Sequence, residues 1–290
     1  MSTTGTGRAA AWGAPVRELL RARPGLALAD VDASATPGFD RRKADAVPAL
    51  AALGAALSDL QERLFAHGRT GGDRSVLLVL QGLDTAGKGG IVRHVLGMVD
   101  PQGVALRAFG VPTPQERAQH FLARVRAALP APGRIGVFDR SHYEDVLVPR
   151  VEGALDAAAL EARLAEITAF EAEVAARGTT VVKVLLWVSP DEQHARLRER
   201  LTRPEKHWKY DPRDVDVRRQ RPAYEAAYAD VLARTSTDVA PWYVVPADRK
   251  WYARLAVSVL LHDALADLHL GWPEPAYDVA AELARLDATA

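Results

Sequence analysis

A short apolar run that leads directly into a glycine-rich turn is the feature that most limits how this chain can fold. Residues 75–80 read SVLLVL, which has the length and composition of a strand buried on both faces. A helical segment is predicted over residues 91–99. Between the two lies the sequence Gly82-Leu83-Asp84-Thr85-Ala86-Gly87-Lys88-Gly89-Gly90. Strand, G-x-x-x-x-G-K turn and helix in this order predict a phosphate-binding loop.

The loop has the residue types that hold a phosphate group. Glycines let backbone N–H groups face the anion, the N-terminus of the following helix adds its positive dipole end, and Lys88 supplies a mobile positive charge. We expect phosphate contacts along the loop at Gly82, Thr85, Ala86, Gly87, Gly89 and Gly90. The alternative is a glycine-rich strand-to-helix turn without a ligand. The occurrence of strand, loop, lysine and helix together disfavours it.

The loop departs from the usual pattern in the residues after its lysine. A Ser or Thr normally follows and its hydroxyl binds Mg²⁺, but positions 89 and 90 are both glycine. Another oxygen must replace that hydroxyl. Asp84, inside the loop, is predicted to ligate the metal or to accept a proton from an incoming phosphate.

Further apolar runs define the rest of the predicted sheet. They cover residues 135–138, 181–188 and 242–245. Helical patterns are predicted between and around them, over residues 48–67, 114–129, 155–177, 191–202, 213–236 and 250–268. This alternation predicts an α/β fold of the P-loop NTPase or kinase type, with a doubly wound parallel sheet flanked by helices. The ligand site is expected beyond the carboxyl ends of the strands.

Asp139 and Arg140 follow the apolar run over residues 135–138. An Asp at the end of a strand beside a phosphate-loop strand is placed to act as a second metal ligand. The planar guanidinium of Arg140 suits phosphate oxygens better than an ammonium does. His142 is compatible with a role in the site or with a hydrogen-bonded structural role.

A basic segment is predicted to form a helical lid over about residues 191–221. Between positions 196 and 221 there are ten Lys and Arg residues against five Asp and Glu. Arg196 and Arg200 share a helix face, and Lys206 and Lys209 follow in a proline-containing stretch with an aromatic residue. Such a flap could close over a phosphate-rich substrate and exclude water. A solvated charged helix face is the alternative.

Composition excludes several classes of protein. The 290 residues carry 37 basic and 37 acidic side chains and no cysteine, so no overall field attracts nucleic acid or anionic lipid, and thiolate chemistry is absent. No apolar run approaches the roughly 18 residues of a membrane span. We expect a cytoplasmic protein without membrane or nucleic-acid partners. Its predicted parts are a partly ordered arm (1–45), a kinase domain (46–275) and a tail (276–290).

At four places the sequence resembles the polyphosphate kinase 2 family of P-loop phosphotransferases. The first is the phosphate loop, and the others follow in the order that the family shows, over roughly residues 45–275. They are Asp139-Arg140-Ser141-His142-Tyr143-Glu144-Asp145-Val146-Leu147-Val148, Pro204-Glu205-Lys206-His207-Trp208-Lys209 and Ala240-Pro241-Trp242-Tyr243-Val244-Val245-Pro246-Ala247-Asp248-Arg249-Lys250-Trp251.

The resemblance implies a P-loop kinase fold and phosphoryl transfer between inorganic polyphosphate and AMP or ADP, or GMP or GDP. It implies Mg²⁺ dependence, with Mn²⁺ as a substitute, and a homo-oligomer, either dimer or tetramer. It also implies that Glu144 contacts the nucleotide and that Arg196, Lys206 and Lys209 contact phosphate. By the same resemblance, the residues that carry the chemistry are Asp84, Lys88, Asp139, Arg140 and Arg200, with Asp84 and Asp139 as metal ligands.

The sequence Ser-His-Tyr-Glu-Asp at residues 141–145 is most similar to the class III subgroup, whose members can phosphorylate both AMP and ADP. Two positions depart from relatives: Gly89 stands where many carry Asp, and Asp139 stands where class III members often carry Asn. Subgroup and nucleotide preference are therefore left open. The other functions compatible with the sequence are an ATP-dependent nucleoside monophosphate kinase and a non-catalytic protein that binds polyphosphate or nucleotide.

Overall fold

A five-stranded parallel sheet forms the centre of the computed structural model, which describes residues 15–290. The strand order is β2-β3-β1-β4-β5, so β1 is the central strand. The strands are β1 Ser75–Gln81, β2 Val104–Ala108, β3 Ile135–Asp139, β4 Thr179–Trp187 and β5 Trp242–Pro246. This arrangement confirms the predicted α/β fold with a parallel sheet.

Helices cover both faces of the sheet, as in a doubly wound fold. In chain order they are α1 Val16–Leu20, α2 Lys43–Arg69, α3 Lys88–His94, α4 Pro114–Arg117, α5 Ala123–Arg126, α6 Glu144–Val151, α7 Ala157–Ala176, α8 Pro190–Thr202, α9 Arg213–Arg219, α10 Arg221–Thr235, α11 Lys250–Ala266 and α12 Val279–Asp287. A 3₁₀ helix, Pro204–Lys209, joins α8 to α9, and shorter ones span Leu28–Asp30, Leu96–Met98 and Pro101–Gly103.

Alternate side chains of β1 enter two separate cores. Val76, Leu78 and Leu80 pack with residues of α1, α2, α3 and α11 on one face. Leu77 and Val79 pack with residues of α6, α7 and α10 on the other. This division follows from the two-residue period of a strand, and it explains why β1 is apolar throughout.

The registers of the strands bring three of their carboxyl ends together. Leu80 of β1 pairs with Asp139 of β3, and Gln81 of β1 pairs with Leu185 of β4. The segments that follow β1 and β3 therefore start side by side at one edge of the sheet.

The sequence interpretation missed β2 and joined helices that the structure separates. β2 is an edge strand with half-buried and exposed residues, so it contains no apolar run. The helix predicted over residues 114–129 is interrupted, because the backbone N–H of Leu122 donates to Nδ1 of His120 instead of continuing a helical ladder. The helix predicted over 213–236 breaks at Gln220, two residues before Pro222, which lacks an N–H and restricts the residue that precedes it.

The predicted N-terminal arm is, from residue 15 onward, part of the folded body. The backbone N–H of Ala22 donates to the carbonyl of Trp242 at 2.8 Å, and Phe39 is fully buried. The Tyr252 hydroxyl donates to the carbonyl of Pro37 at 2.8 Å. The apolar residues of this arm contact the folded body at irregular spacing, so a search for helical periodicity does not find them. Residues 1–14 of the predicted arm lie outside the described residues.

The C-terminal segment is exposed at every position from residue 271, including α12. Within residues 15–290, no helix combines the length and the hydrophobicity that crossing a bilayer requires.

Candidate active site

The loop after β1 has the backbone geometry of a phosphate cradle. Gly82 and Gly87 have φ angles of 147° and 116°, which favour glycine, and Thr85 adopts a left-handed φ of 69°. A Cβ atom at Gly82 would lie 2.6 Å from the carbonyl oxygen of Leu186 in β4. The loop ends at Lys88, where α3 begins, so Gly89 and Gly90 form the first turn of that helix.

The Lys88 side chain lies folded over the loop. Its Nζ donates to the carbonyl oxygen of Gly82 at 2.6 Å, and the carbonyl of Leu83 lies 3.5 Å away. Burial lowers the pKa of the Lys88 ammonium, and the carboxylate of Asp84 acts in the opposite direction. The loop thus places a desolvated positive charge where a phosphate would lie.

An arginine joins the two segments that follow β1 and β3. Nη2 of Arg140 donates to Oδ1 of Asp84 at 2.7 Å, and Nη1 lies 3.5 Å from Oε2 of Glu144. Burial works against the charge of Arg140, but Glu144 and Asp84 raise its pKa. Burial raises the pKa of the Glu144 carboxyl, an effect that Arg140 and Lys88 partly offset. Asp84, Lys88, Arg140 and Glu144, predicted separately, therefore form one cluster.

Asp139 ends β3 beside this cluster. Its carboxylate is half-buried and, with Asp84, acts to raise the pKa of Lys88. Two carboxylates at one phosphate loop match the donor set of Mg²⁺, which takes one or two protein carboxylates and completes its shell with water and phosphate oxygens. Within residues 15–290, no group of three or more His, Asp and Glu residues could hold a metal without such help. The residues present therefore fit a cation that binds together with a phosphate ligand.

Buried polar side chains hold the segment that carries Arg140 in place. Nε2 of Gln81 donates to Oγ of Ser141 at 3.1 Å, and the same oxygen accepts the backbone N–H of Tyr143. Nε2 of His142 lies 3.1 Å from Oε1 of Glu171, and the His142 side chain is almost fully buried. Of the two roles left open for His142, the structure supports the structural one.

A fully buried lysine completes this support. Nζ of Lys183 in β4 pairs with Oε2 of Glu171 and donates to the Tyr143 hydroxyl at 2.9 Å and to the carbonyl of Thr235 at 2.7 Å. The Tyr143 hydroxyl in turn donates to Oε1 of Glu171 at 2.8 Å. The charge of Lys183 is thus compensated by a carboxylate and two oxygen acceptors, as a buried charge requires.

The guanidinium of Arg196 bonds to backbone carbonyls instead of facing the predicted phosphate. Its Nη1 donates to the carbonyls of Thr85 and Ala86 at 2.9 and 3.2 Å, and its Nη2 donates to those of Ala247 and Asp248 at 2.6 and 2.9 Å. Its Nε donates to Glu192 at 2.7 Å, so all five donors are used. The guanidinium therefore lies behind the loop and braces it against the segment after β5, which leaves no donor for a phosphate.

The other predicted lid residues are exposed or half-exposed and pair within the lid. Nη1 of Arg200 donates to Oδ2 of Asp214 at 3.0 Å and to the carbonyl of Lys209 at 2.9 Å. Lys206 pairs with Glu199, and Nζ of Lys209 lies 4.9 Å from the ring centre of Trp208. Trp208 itself is 79% exposed.

Two tyrosines and an aspartate near the site were not predicted. Tyr228, one turn beyond Tyr224 on α10, lies near the backbone of Gly82, and burial raises its pKa. Burial also raises the pKa of Asp214, and the nearby Asp84 adds to this effect. Two tyrosines four residues apart on a helix have the spacing of ordinary core residues. Only their position near the loop identifies them as part of the site.

Strand, loop, buried lysine and paired carboxylates define the chain as a P-loop phosphotransferase with a kinase-like α/β fold. The sequence model of the polyphosphate kinase 2 family matches residues 41–270. The chain belongs to this family.

Individual relatives agree with this assignment. An AMP/ADP-polyphosphate phosphotransferase of Meiothermus ruber is 43% identical over 244 residues, which cover 84% of this chain and 90% of that protein. An ADP-polyphosphate phosphotransferase of Rhodopseudomonas palustris is 40% identical over 230 residues, 75% of this chain and 78% of that protein. The crystal structure of polyphosphate kinase 2 from Arthrobacter aurescens is similar with a TM-score of 0.94 and 51% identity, and covers 96% of this chain and 98% of that one.

Proposed function

We propose that this protein transfers a phosphoryl group between inorganic polyphosphate and a nucleoside mono- or diphosphate, with AMP and ADP as acceptors. The observation that carries the proposal is the phosphate loop with its buried Lys88 and with Asp84 and Asp139 in place of a loop hydroxyl. The similar proteins of Meiothermus and Rhodopseudomonas are named for polyphosphate transfer to AMP or ADP, which favours polyphosphate over ATP as the phosphoryl donor.

In the proposed reaction, an oxygen of the acceptor phosphate forms a bond to the terminal phosphorus of polyphosphate while the bridging P–O bond breaks. The backbone N–H groups of the loop and the Lys88 ammonium hold the donor and stabilise the charge that develops on the transferred group. The Thr85 hydroxyl, buried and without a partner in the described part of the chain, is available to a phosphate oxygen. Asp84 and Glu144 hold the Arg140 guanidinium, and in the proposed reaction it would contact phosphate oxygens of donor and acceptor.

The family depends on a divalent cation, and we propose Mg²⁺ in this chain. Asp84 and Asp139 would hold it together with phosphate oxygens, with Mn²⁺ as a substitute. Oδ1 of Asp84 accepts from Arg140, which leaves Oδ2 for a metal. When bound, the cation supplies charge neutralisation and helps to align the reacting oxygens.

The test is a coupled assay with purified protein, Mg²⁺, polyphosphate and one acceptor at a time: AMP, ADP, GMP or GDP. Transfer to adenine nucleotides is expected, and the same assay with ATP plus AMP and no polyphosphate should give little product. The opposite pattern would identify an ATP-dependent nucleoside monophosphate kinase. Binding of polyphosphate without turnover would identify a non-catalytic binding protein.

Variants of the loop test the assigned roles. Lys88→Ala and Asp84→Asn should each lower turnover about 100-fold or more while the fold is retained, because each removes a charge that acts on the transferred group. The control is Arg69→Ala, an exposed position near the amino end of β1, at the opposite end of the strand from the loop. Near-normal turnover with either loop variant would refute the scheme.

A further inference from the structure

The surface directly beyond the phosphate loop is bare backbone. A Cβ atom added at Gly89 would meet no other atom of the described residues within 4 Å. At Gly90 the added atom would meet Nη2 of Arg254, at 4.0 Å. A strip without side chains therefore leads from the lysine of the loop to a guanidinium on the neighbouring helix α11.

Two arginines and a histidine gather at the end of this strip. Arg93 and His94 lie in the last turn of α3, and Arg254 lies in the first turns of α11, which packs against α3. Burial and the nearby Arg93 lower the pKa of Arg254, and burial, Arg254 and Arg93 lower the pKa of His94. We name Arg93, His94 and Arg254 the distal cation cluster.

The distal cation cluster lacks the acidic partners that other arginines of the protein have. In the lid, Arg203 pairs with Glu199 and Arg213 pairs with Asp211. Throughout residues 15–290, by contrast, no carboxylate oxygen lies within 4.0 Å of a charged nitrogen of Arg93, His94 or Arg254. Positive charges held together without counter-charges favour the binding of an anion.

We propose that the distal cation cluster binds those phosphates of a polyphosphate chain that lie beyond the phosphates held by the loop. This inference rests on the proposed function. Lys88 and Arg93 are five residues apart on one helix, which is about 8 Å along its axis. A donor that fills only the loop therefore ends short of Arg93, whereas a long chain continues past Gly90 and Arg254 to reach it.

The prediction that separates this role from general electrostatics is a dependence on chain length. In the variants Arg254→Gln and Arg93→Gln, we expect the KM for long-chain polyphosphate to rise about tenfold, because each loses a charge-assisted hydrogen bond to phosphate. The KM for tripolyphosphate and the KM for the nucleotide should change less than twofold in the same variants. Arg254→Lys, which keeps the charge, should restore most of the affinity for the long chain.

Salt dependence gives a second readout that does not require turnover. The affinity for long-chain polyphosphate is measured by titration without nucleotide at several salt concentrations. Each lost contact should reduce the slope of log affinity against log salt by about 0.7, as for single-stranded polyanions. The control is Arg69→Gln, which removes the same charge near the amino end of β1, at the opposite end of the strand from the loop.

Each outcome decides the proposal. An unchanged KM for the long chain in both variants would overturn it. An equal rise in KM for long chains and tripolyphosphate would also overturn it, because the arginines would then act on the loop itself. Arg93 is exposed, so Arg93→Gln keeps the test valid even if Arg254→Gln destabilises the fold. A wild-type protein that turns over neither donor would refute the proposed function, a result distinct from both.

Discussion

Replacement of Arg196 by methionine separates two roles for this buried lid arginine. If Arg196 braces the loop, the substitution removes five hydrogen bonds and leaves the carbonyls of Thr85, Ala86, Ala247 and Asp248 without their donor. Hydrogen bonds to a charged group contribute about 1.5–3 kcal/mol each, but water reaches part of the vacated site. We therefore expect a loss of about 4 kcal/mol in the free energy of unfolding.

The assay is urea unfolding followed by the fluorescence of the buried tryptophans Trp187 and Trp242. A loss of this size should lower the melting temperature by about 10 °C. Because the braced loop carries Lys88, kcat/KM should fall as well. Arg198→Met, at an exposed position on the same helix, is the matched control and should leave both quantities nearly unchanged.

The reasoning would be refuted by an Arg196→Met protein that unfolds at the wild-type urea concentration yet binds polyphosphate weakly. That result would return Arg196 to the phosphate-binding role that its place in the sequence suggests.

Three further predictions concern the loop and its support. Lys183→Met should destabilise the protein by about 3–5 kcal/mol, because it leaves the Glu171 carboxylate buried and unpaired; adding Glu171→Gln should recover part of the loss in urea unfolding. The pH profile of kcat/KM should fall on its alkaline side with an apparent pKa below the ordinary 10.5, because burial lowers the pKa of the Lys88 ammonium and activity requires its charged form; an alkaline limb that persists in Lys88→Arg would contradict this. Gly82→Ala should cost about 2 kcal/mol or more in thermal unfolding, because its φ disfavours a side chain and the carbonyl of Leu186 blocks the space.

Patterns that act along the chain made the centre of the fold predictable. The apolar run of β1, the glycine turn and the acidic residue that ends β3 each have a local signature. Because parallel strands end at one edge of the sheet, the meeting of Asp84 with Arg140 follows from them. The edge strand β2 could not be found this way, because exposed side chains leave no apolar run.

Arg196 and Arg200 show what sequence spacing could not resolve. Both lie on one face of α8, one turn apart, and both precede the same proline. They differ because the carbonyls that accept from Arg196 belong to segments more than 50 residues away, after β5 and before α3. Tyr228 was missed for a related reason, since its place beside Gly82 brings distant parts of the chain together.

The N-terminal segment has a practical consequence through its contact with β5. Its residues Arg21 and Ala22 bond to Tyr243 and Trp242 and so cover the outer edge of the sheet. The family match begins only at residue 41, so a shortened protein cut at that boundary would lose this cover. The bared strand would offer unpaired N–H and C=O groups to a neighbouring molecule, a known route to aggregation. Expression trials should therefore keep residues 15–40, although they lie outside the family match.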